Sequence, residues 1–250
     1  MSTATLTWLH ARYQMLETVR VPIAVLGMLL FPALALSFFV LPQAGVAQSP
    51  EAATAAVSQL ALFAVMSTFT FTYGAGVAED RALPFDAYVR TLPAGPVPRL
   101  GGRLVSGTVF GLASLVPLVL LGWFFTAADP GAGRLLLGVV TVLLAAVPFL
   151  FAGLAIGYGL STKAALAVAQ VVLFPMAFAG GLFLPPEMFP GWLDTLSGFL
   201  PSRAGRDVVV QAVLGEGATG LDYAVLAAWV VALGALAVWT YRRDEGRRFR

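Results

Sequence analysis

Residues 104–162 decide the fold class, and they read LVSGTVFGLASLVPLVLLGWFFTAADPGAGRLLLGVVTVLLAAVPFLFAGLAIGYGLST. Two charge-free stretches, Leu104–Ala128 and Leu135–Thr162, flank a short segment that contains Asp129 and Arg134. A helix needs roughly 20 predominantly apolar residues to cross a hydrocarbon core of about 30 Å. Each stretch is long enough, so this region predicts two membrane-spanning helices joined by a short connection.

The rest of the chain continues this pattern. Of the 250 residues, 59% are apolar and only 11% are charged, against about 25% charged in soluble domains. Further charge-free stretches occur at Val21–Pro50, Ala52–Ala78, Ala164–Pro186 and Tyr223–Tyr241. We therefore predict an all-α membrane protein with a single transmembrane domain over residues 1–250. Its six spans are predicted near 21–41, 57–78, 104–126, 137–160, 164–184 and 223–241.

The positions of lysine and arginine predict the orientation. With the N-terminus in the cytoplasm, twelve of the 15 Lys and Arg residues fall in inner segments. The three in outer segments are Arg134, Arg203 and Arg206. Because cytoplasmic loops carry an excess of Lys and Arg, we expect both termini in the cytoplasm.

The N-terminal segment and the segment after span five both have apolar residues at helical spacing. Leu6, Leu9, Tyr13 and Leu16 predict an amphipathic helix on the inner membrane surface over residues 3–19; the alternative is the start of a tilted first span. The later pattern, from Phe189 to Leu200, is too short to cross at about 11 residues. It predicts an interfacial or re-entrant helical hairpin on the outer side, whose key residues are Pro185, Pro186, Phe189, Trp192, Leu196 and Phe199.

The longest inner loop, Glu79–Arg103, has room for a short helix between Pro84 and Pro93. Asp86 and Arg90 are spaced i, i+4 and can pair on one face of it. A short amphipathic helix exposed to the cytoplasm is typical of a docking element; the alternative is a solvated loop whose arginines only set the topology. The predicted docking residues are Glu79, Asp80, Arg81, Phe85, Asp86, Tyr88 and Arg90.

Several kinds of chemistry are excluded or disfavoured by the composition. The chain has no cysteine, a single histidine (His10) and no clustered carboxylates, so we expect no metal site and no catalytic residue. It has no Gly-x-x-x-x-Gly-Lys-Ser/Thr motif for binding ATP. No ionisable residue lies well inside a predicted span, which disfavours a carrier driven by protons or sodium.

Two other patterns lie inside the spans. Span two carries hydroxyl side chains that could line a route for an amphiphile or bond neighbouring helices: Ser67, Thr68, Thr70, Thr72 and Tyr73. Spans three and four carry Gly107-x-x-x-Gly111 and Gly153-x-x-x-Gly157. These small-residue motifs permit close helix approach, either within one subunit or between two copies.

The order of these segments resembles the ABC type-2 permease family, the membrane subunits of ATP-binding-cassette exporters. The resemblance is most specific at residues 174–193, FPMAFAGGLFLPPEMFPGWL, followed by Phe199-Leu200-Pro201. The inner loop is similar to the coupling-helix region of the family from Glu79-Asp80-Arg81 to Leu92-Pro93. Many members have Glu-Arg-Glu followed by Gly-Thr where this chain has Glu-Asp-Arg followed by Ala-Leu-Pro.

The resemblance implies a permease in the bacterial cytoplasmic membrane that associates with a second permease copy or paralogue and with a separate ATPase subunit. ATP and Mg²⁺ would bind to that ATPase subunit and not to this chain. From the many aromatic residues we expect the cargo to be a hydrophobic or amphiphilic small molecule. We expect membrane lipids as further partners and no nucleic acid. The alternatives are an exporter of a lipid-linked polysaccharide, or a channel or scaffold outside the ABC class.

Overall fold

The computed structural model describes residues 2–90 and 97–248, without the side chains of 24, 28, 87, 89, 90 and 246–248. The described residues form helices and contain no strand. In chain order the helices are α1 (Thr3–Val19), α2 (Pro22–Phe39), α3 (Ala44–Ala47), α4 (Pro50–Tyr73), α5 (Ala75–Ala82), α6 (Pro84–Arg90), α7 (Val97–Phe125), α8 (Ala132–Ala145), α9 (Val147–Gly159), α10 (Thr162–Ala179), α11 (Gly191–Ser197), α12 (Pro201–Leu214) and α13 (Gly220–Arg248). A 3₁₀ turn at Pro186–Met188 precedes α11.

Five helical segments are long and apolar enough to cross a membrane. They correspond to predicted spans two to six, at Pro50–Ala82, Val97–Phe125, Ala132–Gly159, Thr162–Ala179 and Gly220–Glu245. The first predicted span coincides with α2, whose described apolar part, Val25–Phe39, is shorter. The all-helical membrane class is therefore confirmed with five spans, and the sixth stays a prediction.

The observed helices differ from the predicted spans at their ends. The second begins seven residues earlier than predicted, at Pro50, because Ser49 caps it by accepting a hydrogen bond from the Ala52 amide at 3.4 Å. The fifth ends earlier than predicted, at Ala179, because Gly181 adopts a positive φ of 75° that turns the chain. A search for charge-free stretches does not detect polar capping residues or turns, so it places the helix ends imprecisely.

Helix α4 forms the centre of the bundle. Its residues Leu62, Phe63, Val65 and Met66 are fully buried, and it contacts α2, α7, α9, α10 and α12. Helix α13, in contrast, exposes large apolar side chains along its length, including Val231 and Trp239. The molecule therefore has a packed interior around α4 and an apolar outer surface suited to lipid.

Both small-residue motifs pack against the junction of α4 and α5. A Cβ atom on Gly107 would lie 2.1 Å from the Tyr73 hydroxyl, and one on Gly157 would lie 2.4 Å from the Tyr73 carbonyl oxygen. Gly153 approaches the Phe69 carbonyl in the same way, at 2.9 Å. Of the two alternatives for these motifs, the structure shows packing inside one subunit.

Helix α1 is present where the sequence predicts it, and it lies across the start of α7. The contact uses small residues, since a Cβ on Gly102 would meet the His10 Cβ at 2.5 Å and one on Gly101 would meet Thr7 at 3.0 Å. Tyr13 and Leu16 are exposed on another face.

In the structure the one-faced helix predicted from Phe189 to Leu200 is shorter. Helix α11 begins at Gly191, directly after Pro190, and ends at Ser197. A second helix, α12, then begins at Pro201 and packs between α4, α8 and α13. The apolar spacing does not reveal these ends, because Pro190 holds the chain extended before α11 and a turn at Gly198 ends the helix.

Candidate functional site

Helix α6 presents two neighbouring aromatic side chains on its surface. Phe85 is 67% exposed and Tyr88 is 60% exposed. Their ring centroids lie 5.9 Å apart. The short helix begins at Pro84, directly after Leu83 takes an extended conformation that ends α5. The structure therefore places a compact aromatic surface at this end of the bundle, which we call the α6 end.

A buried ion pair fixes α6 to the bundle. The Asp86 Oδ1 atom accepts from Arg99 Nη1 of α7 at 3.1 Å, and both residues are only 8% exposed. The sequence predicted that Asp86 pairs with Arg90, whose side chain lies outside the described part of the chain. Arg99 was missed because the pair joins two different helices.

Arg81 links α5 to two other helices. Its Nη1 atom donates to the carbonyl oxygens of Gly157 and Leu160, the second at 3.2 Å. Its Nη2 atom pairs with Asp244 in α13. The guanidinium also lies 5.8 Å from the centre of the Tyr158 ring. A predicted docking residue thus faces the inside of the bundle, where these acceptors satisfy its charge.

The other residues of α5 complete a junction of helices. Asp80 pairs with Arg103 of α7. The Thr162 hydroxyl, at the start of α10, donates to the Ala78 carbonyl at 3.2 Å. Glu79 is exposed. Together with Arg81, these contacts attach α5 to α7, α9, α10 and α13.

A cavity of about 660 Å³ opens beside this junction. Three of the five predicted pathway residues, Ser67, Thr68 and Thr72, line it. Phe63 and Phe174 lie among its apolar lining residues. The cavity thus combines hydroxyl groups with aromatic rings.

The remaining two predicted pathway residues do not line this cavity. Thr70 is fully buried and donates to the Met66 carbonyl of its own helix at 2.8 Å. Tyr73 is also buried, and its hydroxyl donates to the Arg103 carbonyl of α7 at 2.9 Å. For these two residues the structure shows the alternative role, bonding within and between helices.

The segment from Pro185 to Phe199 carries the predicted hairpin residues at the opposite end. Trp192, Leu196 and Phe199 are exposed, whereas Pro186 is buried; Phe189 is half-buried and Pro185 is exposed. The Phe199 carbonyl accepts from the Trp229 indole of α13 at 2.8 Å. The turn between α11 and α12 is therefore tied to a point inside a predicted span and not to its end.

A polar network inside this hairpin was missed by the sequence analysis. Asp207 is 8% exposed and accepts from Arg203 Nε at 2.9 Å and from Arg206 Nη1 at 2.6 Å. With its amide oxygen turned toward Arg206, Gln59 of α4 accepts from that guanidinium at 2.9 Å. The i, i+4 spacing of Arg203 and Asp207 is a readable signal, but the predicted helical pattern ended at Leu200.

Residues that could hold a metal or act as a base are sparse. Within residues 2–90 and 97–248, no group of three or more His, Asp or Glu side chains is arranged to bind a metal. Burial, followed by the nearby Arg99 and Arg103 charges, lowers the pKa of His10 from its ordinary value. A neutral imidazole at the contact of α1 and α7 is consistent with a packing role.

Several helices long and apolar enough to span, packed around a cavity, define the class of polytopic membrane proteins. A family model described as ABC-2 type transporter matches residues 5–214, and the chain belongs to this family. The resemblance seen in the sequence is thereby confirmed. The chain is a membrane transport permease of the ABC type. Members of this family are transmembrane subunits that are generally not catalytic and that work with an ABC ATPase.

Two relatives carry informative names. The chain is 22% identical over 186 residues to the putative transport permease YvfS of Bacillus subtilis (strain 168), covering 74% of this chain and 76% of that protein. It is 26% identical over 168 residues to the daunorubicin resistance ABC transporter permease protein DrrB1 of Streptomyces coeruleorubidus. That alignment covers 64% of this chain and 58% of the relative, so the chain spans less than two thirds of DrrB1.

Proposed function

We propose that the chain is the permease subunit of an ATP-driven exporter that moves a hydrophobic or amphiphilic small molecule. The observation that carries this proposal is the construction of the α6 end. An exposed aromatic pair, Phe85 and Tyr88, is held by a buried ion pair and connects through α5 to four other helices. Such a surface is suited to bind a partner subunit whose movement displaces α6.

The contacts suggest how movement would pass from an ATPase subunit to the spans. Binding energy at protein interfaces concentrates in a few aromatic and arginine side chains, which fits Phe85 and Tyr88. A displacement of α6 would act on α7 through Asp86 and Arg99. Through α5 it would also reach α9 and α13, where Arg81 makes its internal contacts. ATP and Mg²⁺ would stay on the ATPase subunit.

The lining of the cavity supports an apolar or amphiphilic cargo. Its aromatic side chains can hold a ring-bearing or acyl body. The Ser67 and Thr68 hydroxyls donate to the Ala64 carbonyl of their own helix and keep oxygen lone pairs that can accept hydrogen bonds. The name of the relative DrrB1 also connects this family to resistance against a small-molecule drug. A lipid-linked polysaccharide is the alternative cargo, and it would need a route longer than this cavity.

We further propose six spans, including α2, with both termini on the cytoplasmic side of a bacterial cytoplasmic membrane. The 18 residues of α2 rise about 27 Å at 1.5 Å per residue, close to the thickness of a hydrocarbon core. Reporters fused after Arg250 should read cytoplasmic, and those near Pro50, Asp129 and Gly217 should read external. An external reading at Arg250 would contradict this topology.

In this topology the α11–α12 hairpin enters the membrane from the outer side. The buried position of α12 against α4 and α8 supports a re-entrant arrangement. The exposed Trp192 suits the headgroup region, where tryptophan is enriched. The apolar outer faces of the spans leave room for lipids and for a second permease copy or paralogue.

Co-purification and transport in one reconstituted system test the proposed function. The chain is co-expressed with a candidate ABC ATPase subunit, purified through a tag on the permease, and placed in proteoliposomes. We expect the ATPase to co-purify and a fluorescent hydrophobic dye to move only when ATP is hydrolysed. Dye movement without ATP would indicate a channel or carrier. Absence of both an ATPase and dye movement would indicate a scaffold.

A further inference from the structure

The cavity beside α5 has an unbalanced charge at the α6 end. Its lining includes the carboxylates of Glu17, Glu79 and Asp80 and the guanidinium of Arg103. Arg103 is paired with Asp80. Within residues 2–90 and 97–248, Glu17 and Glu79 are exposed and their carboxylates make no ion pair or hydrogen bond. Two carboxylates of the lining are therefore left without a counter-charge.

Another part of the same cavity is lined by aromatic rings. The ring centroids of Phe31 and Phe63 lie 5.9 Å apart, those of Phe31 and Phe174 lie 6.2 Å apart, and those of Phe63 and Phe174 lie 6.4 Å apart. All three residues line the cavity. The faces of aromatic rings carry partial negative charge and attract cations as well as apolar groups.

The order of these groups along α4 and α5 gives the cavity two different ends. Phe63 lies in the aromatic part, Ser67 and Thr72 follow toward the α6 end, and Glu79 comes last. At 1.5 Å per residue, the distance from Phe63 to Glu79 along the helices is about 24 Å. An elongated molecule could therefore place an apolar body on the rings and a charged group beside the carboxylates.

We propose that this cavity selects amphiphilic cations, and that Glu17 and Glu79 are the residues that determine this selectivity. The inference rests on the proposed export function and names the charge class of its cargo. Negatively charged amphiphiles would meet two uncompensated carboxylates, since Arg103 is occupied by Asp80. Neutral molecules would gain only the aromatic and hydroxyl contacts. Charge complementarity therefore favours a cation over both.

The absence of cysteine from the natural chain allows a direct measurement of the cavity's potential. In a Thr72→Cys variant of the full chain, the thiol is reacted with a cationic and an anionic methanethiosulfonate reagent of similar size. The rate of reaction with the cationic reagent is divided by the rate with the anionic reagent. This ratio is then divided by the same ratio for free 2-mercaptoethanol, which corrects for the intrinsic reactivity of the two reagents. We expect a corrected ratio of about ten in favour of the cation, since nearby charges act strongly in a partly desolvated site.

Matched variants assign the effect to named residues. Glu17→Gln combined with Glu79→Gln should bring the ratio to nearly one, while Glu187→Gln, which lines a different cavity near α12, should leave it unchanged. Tetraphenylphosphonium should slow the labelling of Thr72→Cys at concentrations at which its isosteric anion, tetraphenylborate, does not.

Three results would overturn the inference: a ratio near one, a ratio unaffected by the double substitution, or equal protection by the two tetraphenyl ions. Ser67→Cys reports on the same cavity, and failure of both cysteines to react with either reagent would show that the cavity does not admit solutes. ATP-dependent dye export is measured separately. The exporter proposal can therefore survive the loss of this charge selectivity, and the two failures are distinguishable.

Discussion

The ion pairs at the two ends of the bundle are built differently. At the α6 end, Arg81 pairs with Asp244 and Asp86 pairs with Arg99, so each bond joins separate helices. In the α11–α12 hairpin, Asp207 pairs with its own helix neighbours Arg203 and Arg206, and Arg203 also reaches the exposed Asp194 of the adjoining α11 at 3.3 Å. The first kind fixes the relative positions of distant segments. The second kind mainly stiffens one local element.

The two ends therefore differ in how a displacement would pass to other helices. A displacement at α6 cannot occur without acting on α7, because a buried charge that loses its partner carries a large free-energy penalty. Within residues 2–90 and 97–248, the hairpin charges bond within α11 and α12 and to Gln59 of α4, so they can move together as one unit with the hairpin. We therefore interpret the α6 end as the part that receives force and the hairpin as a part that moves as a block.

The largest effect that would test this comparison is expected for Arg81→Met. It leaves the buried Asp244 carboxylate without its guanidinium, and we expect the free energy of unfolding to fall by about 3–5 kcal/mol. Arg203→Met should cost only about 1 kcal/mol, because Asp207 keeps Arg206. Thermal unfolding in detergent micelles measures both. Equal losses would contradict the distinction between the two ends.

A second, smaller effect is expected for Gly157→Ala at the α6 end. The new Cβ would lie 2.4 Å from the Tyr73 carbonyl, and overpacking of this kind costs about 1–3 kcal/mol. In the control, Gly159→Ala, the nearest atom is a Thr240 methyl at 3.4 Å, an ordinary contact. Unfolding and oligomeric state are measured together for both variants. A change of oligomeric state with unchanged stability would assign Gly157 to an interface between copies instead.

The sequence predicted regular, local features well and long-range contacts poorly. Charge-free windows located the five helices that are long and apolar enough to span, because lipid exposure imposes a continuous apolar composition. Asp86 and Arg81 were selected as functional, but their partners Arg99 and Asp244 were not, since nothing in local spacing indicates which distant helix lies beside them. The ends of α11 differ from the predicted helix because the apolar periodicity continues across Pro190 and Gly198, where the structure ends the helix.

The hairpin offers a third prediction, with an effect on accessibility and not on stability. Single cysteines at Trp192 and Leu196 should be shielded from a membrane-impermeant thiol reagent applied outside, because these exposed apolar positions would lie in lipid. A cysteine at Gly217, after α12, should react. Labelling of all three positions at similar rates would show a solvated hairpin and remove the proposed re-entrant arrangement.

The central claim is that α6 receives force from an ATPase subunit, and Phe85→Ala tests it most directly. The side chain is largely exposed, so its loss should change the free energy of unfolding by no more than about 0.5 kcal/mol. Its loss at the interface should cost about 2 kcal/mol or more in ATPase association. Trp123→Ala, an equally exposed aromatic residue near the other end of α7, is the matched control.

The measurement is substrate-stimulated ATP hydrolysis and dye export by the reconstituted complex. We predict that Phe85→Ala inserts and unfolds like the natural chain but loses ATPase association or the coupling of hydrolysis to export, as should Tyr88→Ala. Trp123→Ala should retain both. Full association and full coupling in the Phe85 and Tyr88 variants would contradict the assignment of α6 as the docking helix.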